Sequence, residues 1–222
     1  MRRVAFYGGS FDPPHNGHRA IEHALFAQFE LDQFIFIPAF QAPHKSRLRP
    51  TSAYDRYAML CLVTKDEPKI SVSRMEIEMP ERPFSVETLS RIKEGMPADE
   101  IFFVMGADSW MDIKTWREWE KVLTLSNHIV VTRPGYEISS GHVTEDIQAR
   151  IVDLRNNSTE IKSKVKNQKS KIRDQHIYFT DFVNADISAT KIRSKIRNGD
   201  VSWQNDVPAE VANYIEKYQI YT

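Results

Sequence analysis

The sequence has 222 residues, and its 30 basic residues (Lys and Arg) balance 30 acidic ones, so the formal net charge is zero. This length is sufficient for one α/β domain with a full hydrophobic core, and the balanced charge gives no indication of a nucleic-acid partner. The single cysteine, Cys61, excludes an intrachain disulfide, and the lack of a signal-peptide pattern before Gly8 or of an apolar run of membrane-spanning length predicts a soluble cytoplasmic protein with no membrane partner.

Apolar runs alternate with helical patterns along the chain, which predicts a parallel sheet with crossover helices. Strands are expected at Val4–Tyr7, Phe34–Ile37, Ile70–Ser73, Ile101–Met105, His128–Thr132 and Ile177–Thr180. Helices are expected at His15–Phe29, from Ser52 to Thr64, at Phe84–Lys93, around Trp116–Leu123, at Thr190–Arg197 and from Pro208 onward. The predicted fold is therefore α/β: a Rossmann-like parallel sheet with helices on both faces and a small C-terminal helical region, residues 188–222.

No linker or repeat divides the chain, so residues 1–222 are expected to form a single domain. One segment, residues 139–175, differs from the rest because it is polar and carries a basic tract between Lys162 and Arg173. The favoured interpretation is a solvated helical excursion or a mobile insertion; a specific binding surface is the alternative.

The turn after the first strand carries the strongest functional signal. Gly8-Gly9-Ser10-Phe11-Asp12-Pro13-Pro14 leads directly into His15-Asn16-Gly17-His18. A strand that ends in such a turn places a helix N-terminus, with its unpaired N–H groups and the positive end of its dipole, where a phosphate can bind. Two histidines three residues apart project from one side of the first helical turn and can donate hydrogen bonds to phosphoryl oxygens. The turn is therefore interpreted as a nucleotide site.

Other interpretations of this turn fit less well. Its glycine spacing differs from that of the dinucleotide-binding fingerprint, and the chain has no P-loop Gly-Lys-Ser/Thr triplet. His15 and His18 supply only half of a zinc site, and the other histidines and Cys61 offer no companion at a familiar spacing, so no side-chain metal site is expected. A pair of solvated helix-cap histidines is the remaining alternative.

Further polar residues follow the predicted strands at their carboxyl ends, where open α/β sheets bind ligands. They are His44-Lys45 after the second strand, Gly106 and Asp108 after a later strand, and Ser188, Thr190 and Arg193 at a helix start. Cationic and hydroxyl side chains around one crevice describe a polyphosphate pocket, in which catalysis is mainly positioning and electrostatic stabilisation.

These motifs resemble those of the HxGH nucleotidyltransferases, and the chain resembles in particular the bacterial nicotinate mononucleotide adenylyltransferases. Residues 8–18 resemble the family signature, and Pro43-His44-Lys45 resembles its Pro-His-Lys loop. Phe103–Asp108 resembles its Gly-x-Asp strand end, followed by a tryptophan, Trp116. Ile187-Ser188-Ala189-Thr190-Lys191-Ile192-Arg193 resembles its Ile-Ser-Ser-Thr-x-Ile-Arg motif, although Ala189 replaces the second serine. Residues 139–175 have no counterpart in the resemblance.

The resemblance implies a role for each matched residue. The catalytic side chains, which contact the ATP phosphates and the transition state, are expected to be His15, His18, Lys45 and Arg193. The other ATP contacts are expected from Gly8, Gly9, Ser10, Phe11, Gly106, Asp108, Ser188 and Thr190. Mg²⁺ is expected to bind through the ATP phosphates, because the site has few acidic side chains.

The mononucleotide is expected near Phe84, Ser85 and Trp116, where an aromatic face can stack on the pyridine ring. Phe84-Ser85 stands where the family usually has Tyr-Thr. Trp116 and Trp119 are three apart on a predicted amphipathic helix; Trp119 is interpreted as core, and Trp116 as either core or a stacking residue. Arg133, at the end of a strand, is the candidate partner of the substrate carboxylate, with an ordinary surface position as the alternative.

The expected reaction is the attack of the 5′-phosphate of nicotinate mononucleotide on the α-phosphorus of ATP, which gives deamido-NAD and pyrophosphate. The alternatives are the same chemistry on nicotinamide mononucleotide or phosphopantetheine and, more distantly, a non-catalytic nucleotide- or RNA-binding module. A class I aminoacyl-tRNA synthetase is disfavoured, because the chain is too short and lacks the Lys-Met-Ser-Lys-Ser loop.

Overall fold

Seven strands of the described residues pair into one parallel sheet in the order β3-β2-β1-β4-β5-β7-β6. The computed structural model describes residues 1–40, 51–79, 83–132, 138–155, 175–181, 183 and 187–222. The strands are β1 Arg3–Gly9, β2 Gln33–Pro38, β3 Ile70–Val72, β4 Glu100–Gly106, β5 Asn127–Val131, β6 Ile151–Asp153 and β7 Ile177–Thr180.

The helices occupy the connections between these strands and the region after β7. They are α1 Asn16–Gln28, α2 Ala53–Thr64, α3 Ser85–Gly95, α4 Ala107–Met111, α5 Trp119–Leu125, α6 Glu145–Gln148, α7 Ala189–Arg197 and α8 Ala209–Tyr218. Two short 3₁₀ helices span Ile113–Thr115 and Val201–Asp206. Among the described helices, none has the length and apolarity that crossing a membrane requires.

Strand residues alternate between two cores, one on each face of the sheet. In β4, Phe103 and Met105 face one core, while Phe102 and Val104 face the other. The first core is covered by side chains of α3, α4 and α5, and the second by side chains of α1 and α2. Because both faces are buried, the inner strands are continuous apolar runs rather than alternating ones.

The strand order reverses direction at β1. The chain runs from β1 outward through β2 to β3, and then returns to the opposite side of β1 for β4. Ligands of open α/β sheets bind at such a reversal, outside the carboxyl ends of the two strands concerned. The fold therefore places its switch point between the turn that follows β1 and the residues that follow β4.

The C-terminal helices form a third apolar cluster against α2. Trp203, Val211 and Ile215 pack there with Ile192 of α7 and Met59 of α2. Tyr214 of α8 also donates a hydrogen bond to Asp55 Oδ1 of α2 at 2.9 Å. The predicted C-terminal helical region is thus a layer attached to the sheet through α2.

The predicted fold class and the predicted strands are confirmed, with two differences. Strand β6 lies inside residues 139–175, where no strand was expected: it pairs with β7, and Leu154 directly after it is fully buried. Trp116 is not on a helix, because the backbone there is extended and α5 begins only at Trp119, after Glu118 with φ 51°. The whole basic tract, from Lys162 to Arg173, lies outside the described residues.

Candidate active site at the switch point of the sheet

The turn after β1 is shaped by close packing between Gly9 and Phe11. A Cβ atom on Gly9 would lie 2.9 Å from the Phe11 ring, closer than side-chain atoms approach each other. Phe11 itself has a positive φ of 47° and is 2% exposed, so its ring is fixed in the core. Glycine at position 9 is therefore required for the backbone to fold over this ring.

The two predicted histidines lie together at the start of α1. His15 is the N-cap residue, and its ring stacks on that of His18 with centroids 3.6 Å apart. The backbone N–H of His15 donates a hydrogen bond to Nδ1 of His18 at 3.1 Å, which is the contact that a Glu or Gln side chain makes in a capping box. Because Nδ1 accepts this bond, the proton of a neutral His18 ring is on Nε2.

Aromatic and glycine neighbours fix the orientation of this histidine pair. The His18 ring packs edge-on against Phe11, with centroids 4.9 Å apart, and more loosely against Tyr7. A Cβ atom on Gly17 would lie 3.0 Å from Nδ1 of His15. Tyr7 and Phe11 thus pack against the His18 ring, and the lack of a side chain at Gly17 leaves room for the His15 ring.

A cleft at the switch point brings the histidines together with the residues after β4. It is lined by Tyr7, His15, Gly17, His18, Ile21, Gly106, Ala107, Asp108, Val131, Thr132, Val183 and Ile187. Asp108 is exposed in the first turn of α4, and Gly106 is the N-cap residue of that helix. The carboxyl ends of β1, β4 and β5 therefore open into one cleft.

The start of α7 is linked to the turn after β1 by Arg193. Its guanidinium Nη1 donates to the backbone oxygen of Asp12 at 2.6 Å, and Nη2 donates to Thr190 Oγ1 at 3.3 Å. Ser188 is the N-cap residue of α7, with its hydroxyl oxygen accepting from the Lys191 N–H at 3.3 Å. The predicted Arg193 thus reaches the turn after β1 from a distant part of the chain.

Arg56 is a structural member of the site that the sequence analysis did not identify. Its side chain, 1% exposed, donates to the backbone oxygens of Ser10, Ala39 (2.6 Å) and Thr51 (3.1 Å). Burial lowers the pKa of this guanidinium, while the nearby Asp12 carboxylate raises it. A single buried cation therefore joins the turn after β1 to the end of β2 and the start of α2.

A second group of predicted residues lies at the start of α3, which the β3-α3-β4 connection also places at the carboxyl edge of the sheet. Phe84 is 40% exposed and precedes Ser85, the first residue of the helix. The Arg117 guanidinium lies 4.9 Å from the centre of the Phe84 ring and 3.6 Å from a Glu87 carboxylate oxygen. Trp116, the neighbour of Arg117, is partly buried against the first core.

The structure thus places the predicted residues in two described groups. His15, His18, Gly106 and Asp108 line the cleft, and Arg193 reaches the turn beside it. Phe84, Ser85 and Trp116 are not among the described residues that line this cleft. Lys45 and Arg133 lie outside the described residues. Arg117 was missed because a single exposed arginine has no distinctive sequence pattern.

Comparison with known proteins assigns the chain to a family. Residues 6–195 match the model of the family described as cytidylyltransferase-like. A protein of Citrifermentans bemidjiense named as a probable nicotinate-nucleotide adenylyltransferase is 35% identical, over 99% of this chain and 98% of its own length. Proteins of the same name from Thermus thermophilus and Corynebacterium jeikeium are 33% and 32% identical, and the match covers at least 96% of this chain in both cases.

Solved structures agree with the fold. The nicotinic acid mononucleotide adenylyltransferase of Plasmodium falciparum, complexed with NaAD, superposes with a TM-score of 0.72 at 18% identity, covering 100% of this chain and 98% of that one. The same enzyme complexed with APC gives a TM-score of 0.67. At this low identity, the likeness shows that the two chains share a fold.

Proposed function

Because the chain belongs to the cytidylyltransferase-like family, and within it to the nicotinate-nucleotide adenylyltransferases, we propose that it transfers the adenylyl group of ATP to nicotinate mononucleotide. The products are deamido-NAD and pyrophosphate, in a step of NAD biosynthesis. The observation that carries the proposal is the cleft at the switch point, which a stacked histidine pair lines together with Gly106 and Asp108.

The chemistry needs positioning and charge stabilisation more than proton transfer. An oxygen of the mononucleotide 5′-phosphate attacks the α-phosphorus of ATP, and the bond from that phosphorus to the β-phosphate bridging oxygen breaks. The attacking group is already an anion, so no strong general base is required. Negative charge increases on the departing pyrophosphate, and hydrogen-bond donors directed at those oxygens lower the barrier.

The histidine pair supplies donors of this kind. His18 presents Nε2–H because its Nδ1 is occupied by the backbone N–H of His15. This arrangement keeps the donor in a fixed direction before the substrates bind, which reduces the reorganisation that the reaction requires. His15, stacked on it and only 5% exposed, is proposed to contact the same phosphates.

The remaining phosphate contacts are proposed from α7 and from the loop after β2. Arg193 lies beside the turn, where it already contacts the Asp12 carbonyl. Ser188 and Thr190 lie at the start of α7, where hydroxyl and backbone N–H groups favour an anion. Lys45, predicted from its Pro-His-Lys loop, is proposed to complete the cationic side of the pocket.

The adenosine is proposed to lie over the carboxyl end of β4, with Asp108 near the ribose hydroxyls. The backbone of residues 8–11 is proposed to line the centre that the two substrates share. Glycine at positions 8 and 9 keeps this backbone packed on the core, because a side chain at either position would contact a phenylalanine ring.

The pyridine end of the mononucleotide is proposed to lie at the start of α3, near Phe84, Ser85 and Trp116. Arg117 adds a positive charge at this place, since its guanidinium covers the Phe84 ring. A carboxylate on the pyridine ring interacts favourably with such a charge, whereas an amide gains much less. Arg133 stays a proposed second partner of the carboxylate.

Magnesium is proposed to accompany ATP. The donor set of the described cleft fits an ion held mainly by phosphate oxygens and water, because Asp108 is the only carboxylate among the described residues that line it. Such an ion neutralises part of the triphosphate charge.

The decisive measurement is pyrophosphate release from ATP and magnesium, with nicotinate mononucleotide and nicotinamide mononucleotide assayed in parallel. We expect the acid to be preferred in kcat/KM by about two orders of magnitude. Equal rates would define a dual-specificity enzyme and contradict a charged partner for the carboxylate. No release with either substrate would overturn the proposal and direct the assay to phosphopantetheine.

A further inference from the structure

Tyr221, which follows the last helix, reaches the turn that precedes the histidine pair. Its phenol donates a hydrogen bond to Asp12 Oδ1 at 2.7 Å, across 209 positions of the sequence. Asp12 is 7% exposed and lies three residues before His15. The contact therefore joins the C-terminal layer directly to the turn that carries the proposed phosphate site.

The backbone adopts an unfavourable conformation where this contact is made. Tyr221 has a φ of 73° and Gln219 a φ of 50°, both in the left-handed region that side chains with a Cβ atom seldom adopt. An aromatic residue in this region costs free energy, so other contacts must hold it there. The contacts that hold Tyr221 are the phenol–carboxylate hydrogen bond, a side-chain contact with Thr51 and the packing of the ring against the C-terminal apolar cluster.

Asp12 is held by more than one partner. Arg193 donates to its backbone oxygen, and the buried Arg56 guanidinium interacts with its charge while donating to the oxygen of Ser10. Burial and the Asp12 carboxylate both raise the pKa of Tyr221, so the phenol stays a donor at neutral pH. The turn is thus fixed at its carboxylate by Tyr221 and at its carbonyls by two arginines.

We propose that Tyr221 is a positioning residue for the adenylyl transfer, acting through Asp12 to hold the turn of residues 8–15 in the conformation that directs the His15 and His18 rings into the cleft. This inference rests on the proposed function. Tyr221 is not among the described residues that line the cleft, so its effect on the reaction is transmitted through the turn.

The chain offers a matched control in Tyr214. This phenol also links α8 to an aspartate, Asp55, at 2.9 Å, but its partner lies in α2 rather than in the turn. Tyr221→Phe and Tyr214→Phe each remove a hydroxyl that bonds an aspartate, and the Tyr221 hydroxyl also contacts the Thr51 side chain. A merely structural role for Tyr221 predicts a loss of stability but no loss of kcat in either variant.

The test compares the two variants in stability, kinetics and histidine environment. We expect similar decreases in denaturation midpoint, but a decrease in kcat of about tenfold to a hundredfold for Tyr221→Phe alone, with KM for ATP changed less than about threefold. Equal kcat values for the two variants would overturn the inference. A wild-type protein without pyrophosphate release would instead contradict the proposed function.

A second readout does not depend on activity. The ring ¹⁵N–¹H signals of His15 and His18 report the geometry of the stacked pair, and they are expected to shift in Tyr221→Phe and to stay at their wild-type positions in Tyr214→Phe. Unchanged signals in Tyr221→Phe would overturn the inference even where catalysis cannot be measured.

Discussion

The backbone N–H of His15 hydrogen-bonds to Nδ1 of His18, so one residue of the proposed catalytic pair sets the tautomer of the other. The bond belongs to the cap of α1, and the donor left on Nε2 faces away from the cap. The same hydrogen bond therefore caps α1 and orients the proposed catalytic donor, Nε2–H of His18.

The His18 ring has two functions that variants can separate: Nδ1 accepts the hydrogen bond of the helix cap, and Nε2–H is the proposed donor to the phosphates. In His18→Asn the side-chain oxygen can accept the His15 N–H, but no donor remains at the position of Nε2. We expect wild-type-like thermal stability and a loss of about 10²- to 10³-fold in kcat. In His18→Gln an amide N–H can occupy the Nε2 position, so a smaller loss is expected. Near-normal turnover in His18→Asn would contradict the assigned role, and exposed His23 provides the control variant His23→Asn.

Gly9→Ala tests whether the shape of the turn matters for ATP. The added Cβ would lie 2.9 Å from the buried Phe11 ring, so the ring or the backbone must shift. We expect kcat/KM for ATP to fall by about tenfold or more. In Gly95→Ala the added Cβ meets nothing within 4 Å, and steady-state kinetics should be unchanged. Equal kinetics for the two variants would show that the turn tolerates a side chain.

Arg117→Gln tests the charge at the pyridine end. Removing the guanidinium over Phe84 should raise KM for nicotinate mononucleotide about tenfold and leave the weaker use of nicotinamide mononucleotide unchanged. The matched control is Arg74→Gln, because Arg74 is similarly exposed and pairs with Glu78 in an ion pair at 3.1 Å. If Arg117→Gln keeps the wild-type ratio of kcat/KM between nicotinate mononucleotide and nicotinamide mononucleotide, Arg117 does not recognise the carboxylate.

The burial of His128 predicts that the free energy of unfolding decreases at acid pH. It is fully buried in β5, and burial lowers its pKa to about 3, whereas in the unfolded chain it titrates near the ordinary value of 6.5. Between pH 6.5 and pH 3, His128 is therefore protonated in the unfolded state and neutral in the folded state. The His128 contribution to the free energy of unfolding is present above pH 6.5 and is lost as the pH falls toward 3.

The measurement is chemical denaturation of the wild type and His128→Asn between pH 7 and pH 4. Asn at this position leaves a cavity and lowers stability at pH 7, but it carries no titrating group. The difference between the two free energies of unfolding should shrink by up to about 1.4 kcal/mol per pH unit below pH 6.5. A constant difference would show that His128 is protonated equally in both states.

The sequence predicted the elements and residues whose signals are local. The unbroken apolar runs predicted β2 and β4 and their burial, and the turn after β1 predicted a histidine pair at a helix start. The stacked geometry of His15 and His18 follows from the same local pattern, because positions N-cap and N3 of a helix lie side by side.

The features that escaped prediction depend on distant parts of the chain. Tyr221 meets Asp12 across 209 positions, and Arg56 reaches carbonyls of three segments. Strand β6 has only three residues and forms through its pairing with β7, so its own sequence gives little indication of a strand. Trp116 was placed on a helix by spacing alone, but the positive φ of Glu118 interrupts that periodicity.

The lengths of the outer strands have a consequence for how copies of the chain behave together. β3 and β6 have three residues each, whereas the inner strands β1 and β4 have seven. At the end of β6, an Asp153 carboxylate oxygen accepts the Arg155 N–H at 3.0 Å and occupies that backbone donor. In the part of the chain that the structure describes, each edge of the sheet therefore offers only a short row of backbone groups to a strand from another molecule, and short edge strands limit edge-to-edge aggregation.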